Sequence, residues 1–194
     1  MLATLNVRKG RELSALLAGI PYELRILADM SGAALPEEGA ISYRENALAK
    51  ARAAARSTGH PALADDSGLE VDALGGAPGV LSARFGGPDL DDAGRIRHLL
   101  GRLAGVEPAR RTARFRCVIA LLGLDGREHV VEGVVDGLIA EAPRGREGFG
   151  YDPVFLYPPL GRTFAELPDA EKARVSHRGR ALREVRRLLS EHSR

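Results

Sequence analysis

Residues 62–71 read "ALADDSGLEV": an apolar run drives into two adjacent carboxylates, Asp65 and Asp66, and resumes after Ser67 and Gly68. With Pro61 before it, "PALADD" reads as a strand. Ser-Gly reads as a turn, and "LEVDAL" as a second, short strand. Two like charges ~5 Å apart at an effective dielectric of ~20 repel by roughly 3 kcal/mol. A strand ending on such a pair is either a solvated polar turn or a place where positive charge is held. Neighbouring strand residues point to opposite faces, so at most one Asp need face a given ligand.

Working outward, Leu2 to Thr4 reads as the end of a short strand. "RKGRELSALLAG" reads as a helix, with Leu13, Leu16 and Leu17 at helical spacing and Gly19 near its stop. Tyr22, Leu24 and Ile26 alternate with polar residues, as a second strand would. Ser42 with Glu45 three residues on is a capping box, opening an Ala-rich helix that Gly59 closes. After the Asp-Asp strand, "GGAPGV" reads as a rigid turn and "LSARF" as extended chain. "DLDDAGRIRHLLGRLAG" reads as a helix whose acidic first turn suits the helix dipole. "ARFRCVIALLGL" and "EHVVEGVVDGLIAEA" read as long strands joined at Asp125-Gly126, a hairpin signal, and "VFLY" as a further strand. Ser176 is placed to cap the final helix, "HRGRALREVRRLLSEH", whose Ala181, Leu182, Val185, Leu188 and Leu189 share a face. Helices and strands alternate early and a hairpin comes late. The pattern predicts one α/β domain over residues 1–194, with a mixed sheet flanked by helices.

Apolar residues make 44% of the chain and charged residues 28%, the balance of a soluble globular protein. No run of about 18 apolar residues calls for a membrane span. The start lacks a hydrophobic signal core, so the cytoplasm is the expected compartment. The single cysteine, Cys117, sits in an apolar run and is expected in the core. A net charge of +2 predicts no nucleic-acid partner. Of 28 Lys and Arg, three are lysines: Lys9, Lys50 and Lys172. A chain that uses Arg almost everywhere would keep lysine where a compact point charge suits phosphate and the planar fork does not fit.

Four motifs could carry chemistry. Thr4, Asn6 and Lys9 lie where the first strand meets the first helix, and a helix N-terminus is a natural anion site; ordinary capping residues have the same composition. Asp65 and Asp66, with Glu37 and Glu38 in the loop before the long helix, are hard donors for Mg²⁺, which takes one or two carboxylates and completes its shell with water and phosphate. Gly148-Phe149-Gly150-Tyr151-Asp152-Pro153 offers Phe149 or Tyr151 for stacking on a base, or is simply a tight loop. Lys172, His177 and Arg178 surround the start of the last helix, where exposed N–H groups favour an acceptor-rich ligand. Together these suit a nucleoside triphosphate with Mg²⁺.

In this order the motifs resemble those of the inosine/xanthosine triphosphate pyrophosphatase family. They are T-x-N-x-x-K-x-x-E at Thr4–Glu12, E-N-A-x-x-K-A at Glu45–Ala51, "ADDSGLEVDALGGAPGVLSARF" at 64–85, "GFGYDPVF" at 148–155 and "EKARVSHRGRAL" at 171–182. The resemblance implies a long twisted mixed sheet flanked by helices, in two lobes with a central active-site cleft, usually in a homodimer (the ITPase-like/Maf-like fold). It implies Mg²⁺-dependent hydrolysis of dITP, ITP and XTP to the monophosphate and pyrophosphate. By motif, Asp66 is the general base and touches metal, Glu38 is the companion metal ligand and Asp65 supports them. Thr4, Asn6, Lys9, Lys50 and Lys172 hold phosphates, and Ser67 contacts substrate. Phe149, Gly150, Tyr151 and Asp152, with His177 and Arg178, clasp base and sugar. Leu5 stands where the family usually has Gly. Two alternatives stay open: a Maf-like pyrophosphatase with another base preference, and a non-enzymatic nucleotide or nucleic-acid binder.

Overall fold

The computed structural model describes residues 1–36, 39, 42–123 and 125–191. Residues 62–71 form one uninterrupted strand, β1 (Ala62–Val71), so Ser67-Gly68 is not a turn. All of its residues except Ser67 and Glu70 are buried, and a turn there would leave buried backbone groups unpaired. The helices are α1 (Val7–Leu16), α2 (Tyr43–Thr58), α3 (Asp92–Arg102), α4 (Asp169–Val175) and α5 (His177–Glu191). The remaining strands are β2 (Thr112–Leu122), β3 (Glu128–Ile139), β4 (Phe155–Tyr157) and β5 (Arg162–Thr163). Among the described residues, five strands form one sheet in the order β1-β2-β3-β4-β5. The β3–β4 and β4–β5 pairings are antiparallel, while Leu2 makes parallel bridges to Ile26 and Leu63, so the sheet is mixed.

The chain divides into two compact units, each with its own apolar core. The first takes in Met1–Asp66, Cys117–Gly133 and His177–Arg194, the second Ser67–Arg116 and Val134–Ser176. In the first, Leu13 and Leu17 meet Leu2, Leu63, Cys117, Ile119, Ala181, Leu182 and Val185. In the second, the rings of Phe115, Phe155 and Phe164 lie with centroids within 6 Å of one another and pack with Leu69, Leu99, Leu103 and Val135.

At α2 the N-cap and the stop follow the sequence pattern, although Glu45 bonds the Ser42 hydroxyl and not the backbone N–H that a full capping box would use. Ser42 Oγ accepts the Glu45 N–H at 3.2 Å and donates to Glu45 Oε2 at 2.8 Å, and Gly59 closes α2 at φ 67°. Three segments depart from it. Residues 2–4 and 22–26 pair through single bridges at Leu2 rather than as strands. "LSARF" lies mostly in a 3₁₀ helix, Gly79–Arg84. Ser82 Oγ donates to Gly79 O at 2.7 Å and accepts the Leu69 N–H at 2.8 Å, a local bond that competes with extended chain. The short helix α4 and strand β5 were not anticipated. Cys117 is buried in the core, as expected. No described helix is long and apolar enough to cross a membrane.

In the first unit α5 lies hard against β3. A Cβ on Gly133 would stand 2.1 Å from the His177 carbonyl oxygen and 2.6 Å from the Ala181 nitrogen. Both are backbone atoms and cannot swing aside. Gly133→Ala is therefore expected to cost about 3 kcal/mol in urea unfolding; wild-type stability would show that α5 does not seat this closely.

Candidate active site

In the first unit the helices carry cations to the two carboxylates of β1. Asp65 is 2% exposed and Asp66 4%, so this is no solvated turn. As neighbours on a strand their side chains diverge, and each takes its own partners. Asp65 Oδ2 meets Lys9 Nζ at 3.2 Å and Arg178 Nε at 3.4 Å, with Cys117 Sγ at 3.9 Å. Asp66 Oδ1 accepts from Lys50 Nζ at 3.0 Å and Oδ2 from Asn46 Nδ2 at 3.0 Å. Asn46 and Lys50 are four residues apart on α2 and so share a face of the helix.

The sequence-predicted anion motif is held by its own caps. Thr4 Oγ1 accepts the Asn6 N–H at 3.1 Å, and Asn6 Oδ1 accepts the Lys9 N–H at 3.1 Å as N-cap of α1. These bonds cap the start of α1 with the residues of the motif. Leu5 is half exposed, so its branched side chain is taken up by solvent. Ser176 ends α4 and directly precedes α5, where His177 and Arg178 are both buried.

Electrostatics fixes the charge states. Burial alone would push the Asp65 carboxyl up. The charges of Lys9, Arg178 and Lys50, with the Lys9 hydrogen bond, outweigh it and hold the group below the usual carboxylate range. The Cys117 thiol moves the opposite way, raised by burial and then by the Asp65 charge, so it stays protonated and inert.

The second unit repeats the device. Asp152 Oδ2 accepts from Lys172 Nζ at 2.6 Å and from the Phe149 N–H at 2.8 Å. Lys172 Nζ also lies 5.4 Å from the Phe149 ring centroid, within cation–π range. Gly148, at φ 73°, is required: a Cβ there would stand 2.1 Å from Asp152 Oδ2. The two aromatics of the loop separate in role. Tyr151 is buried in the core with its hydroxyl donating to Ser82 O at 2.9 Å, whereas the Phe149 ring lies beside Lys172. Ser67 follows Asp66 on β1 and is partly exposed.

Among the described residues no group of three His, Cys, Asp or Glu could hold a metal ion. Glu37 and Glu38 lie outside the described residues. The positive charge against the Asp-Asp pair is the protein's own. A cavity of about 470 Å³ in the first unit, lined by Leu2, Leu17, Tyr22, Leu63 and Leu121 among others, contains none of these site residues. Two participants were missed in the sequence. Asn46 was visible as the residue four before Lys50, and Glu12 as the residue three after Lys9; Glu12 Oε2 accepts from Arg178 Nη1 at 2.7 Å.

Residues 1–188 match the Ham1 family. The chain belongs to that family. It is 51% identical over 187 residues to a dITP/XTP pyrophosphatase of Syntrophobacter fumaroxidans, covering 96% of this chain and 80% of that protein. A dITP/XTP pyrophosphatase of Thermus thermophilus is 52% identical over 183 residues, 94% of this chain and 87% of that one. Among solved structures, a HAM1 protein from Coxiella burnetii superposes with a TM-score of 0.88 at 43% identity, covering 98% and 97% of the two chains. The α/β fold with a mixed sheet is thus that of the Ham1 family.

Asp65→Asn leaves Lys9 and Arg178 without their shared counter-charge and is expected to cost about 3 kcal/mol at pH 7 in urea unfolding. The folded Asp65 carboxyl lies below its unfolded value of about 3.9. Its contribution is therefore complete above that pH and declines as pH falls further. The gap between wild type and variant should narrow from pH 4 towards pH 2; a constant gap would contradict the ion pairing.

Proposed function

We propose that this protein hydrolyses non-standard purine nucleoside triphosphates, dITP, ITP and XTP, to the monophosphate and pyrophosphate, clearing them from the nucleotide pool. The observation that carries this reading is Asp66, a buried carboxylate steered by Lys50 and Asn46 in a chain of the Ham1 family. One water is added across the α–β phosphoanhydride, and Asp66 takes the proton from it. In this reading Lys9 and Lys50 meet the phosphate oxygens as compact positive charges. They neutralise charge that develops as the bond breaks. Thr4 and Asn6 contribute hydroxyl and amide donors beside the first N–H groups of α1.

A carboxylate offers about four acceptor positions, so Asp66 suits a hard cation even while Lys50 and Asn46 hold it. Mg²⁺ bound by Asp66 and Glu38 with phosphate oxygens would screen the triphosphate and polarise the scissile bond. Asp65, whose Oδ2 faces Lys9 and Arg178, supports that ion as a neighbouring charge rather than as a ligand. Lys172 serves the substrate through the donors that Asp152 does not take. Phe149 stacks on the purine, Gly150 gives it room, and Asp152, Ser67, His177 and Arg178 secure base and sugar. Tyr151 anchors the loop from the core. Inosine and xanthosine present an oxygen acceptor at position 6 where adenine presents an amino donor. Site donors facing that oxygen would be left unpaired against adenine. The working form in this reading is a cytoplasmic homodimer with no nucleic-acid partner.

Pyrophosphate release is measured from dITP, ITP, XTP, ATP, UTP and dTTP with Mg²⁺. The inosine and xanthosine nucleotides should exceed ATP by about 10⁴-fold in kcat/KM, and chelating the metal should stop the reaction. Asp66→Asn should lower kcat by about 10²- to 10⁴-fold. Equal rates in variant and wild type would remove Asp66 as the base, and preference for UTP or dTTP would favour the Maf-like alternative.

A further inference from the structure

The first turn of α3 carries two successive acids with different tasks. Asp91 is the N-cap, its Oδ1 accepting the Gly94 N–H at 2.7 Å. Asp92 is not needed there. Its Oδ2 accepts the Gly150 N–H at 2.9 Å, across 58 residues of chain, and its Oδ1 faces Arg95 Nη1 at 3.6 Å one turn along the helix. The Gly150 backbone sits at φ 61° with nothing within 4 Å of where a Cβ would be. Glycine is thus used there for its backbone conformation, and that conformation aims its N–H at Asp92.

Three consecutive residues of the loop are each tied to a different partner, two by carboxylates and one by a backbone carbonyl. Phe149 is held through its N–H by Asp152, Gly150 by Asp92, and Tyr151 through its hydroxyl by Ser82 O. The Asp92 bond is charge-assisted and fixes the residue between the stacking ring and the core anchor. An acid placed only for the helix dipole has no reason to reach another loop.

Resting on the reading of this loop as the purine platform, we infer that Asp92 is a positioning residue for substrate binding. It sets the orientation of Phe149 by holding the Gly150 N–H, with Arg95 steadying the carboxylate. It touches neither substrate nor the reacting atoms. Its removal weakens the bound state by loosening the platform and leaves the hydrolytic step alone. The side chain is about half exposed, so substitution opens no core cavity.

The test compares wild type, Asp92→Ala and Asp92→Asn in steady-state hydrolysis of ITP with Mg²⁺. Asp92→Ala should raise KM about 10-fold, the scale of one hydrogen bond to a charged group, with kcat within about twofold. Asp92→Asn loses the charge but keeps an acceptor oxygen, so its KM should stay within about threefold of wild type. Amide hydrogen exchange of the peptide carrying Gly150 gives a readout that needs no turnover: faster in Asp92→Ala, near wild type in Asp92→Asn. A wild-type KM or unaltered exchange in the Ala variant overturns the inference, and so does equal impairment of both variants, which would assign the effect to charge at the helix end. Wild-type protein inactive on ITP would overturn the functional reading instead, with the exchange experiment still deciding whether Asp92 holds the loop.

Discussion

Two adjacent carboxylates buried on one strand cannot remain charged unless cations are delivered to them, because taking an ion out of water costs several kcal/mol. That requirement organises the first unit. Asp65 and Asp66 take different partners, so the cations come from three different helices. Lys9 comes from the first turn of α1, Arg178 from the first turn of α5, and Lys50 from the face of α2 that also carries Asn46 and Ala54. The caps at Asn6 and Ser42 set where α1 and α2 begin, and hence the register at which each lysine meets its carboxylate.

In the proposed function the same arrangement prepares chemistry. A general base must be ionised and aimed before substrate arrives, and a phosphate-binding lysine must be charged and fixed in place. Pairing each lysine with an aspartate does both at once. Asp66 is oriented by Lys50 and Asn46. In the second unit Lys172 and Asp152 form a pair of the same kind, built into the loop that carries Phe149. The chain's three lysines are thus used alike: each ends within 3.2 Å of an aspartate oxygen.

Local signals were legible where local physics decides the outcome. The Ser42 cap, the Gly59 stop and the long strands around Asp125-Gly126 are short-range features, and they appear in the fold as the sequence pattern implies. The scarcity of lysine singled out three residues that each pair with an aspartate. Ser67-Gly68 misled because burial along β1 overrides its turn propensity, and residues 79–84 because the Ser82 hydroxyl bond is invisible in a pattern of apolar spacing. The partners of Asp65 and Asp66 were hidden for a different reason. They lie 16 to 113 residues away in sequence, and no periodicity reports a contact of that range. The division between Phe149 and Tyr151 likewise depends on which ring the core of the second unit takes up.

With three lysines in the chain, the central claim can be read one ammonium at a time. In protein labelled with ¹⁵N at lysine Nζ, buried and paired ammonium groups exchange slowly enough to give separate NMR signals. The account predicts three such signals in the free protein, with Asp65→Asn, Asp66→Asn and Asp152→Asn each perturbing chiefly one of them, that of Lys9, Lys50 and Lys172 in turn. Signals that are absent, or that ignore the substitution of their aspartates, would contradict it.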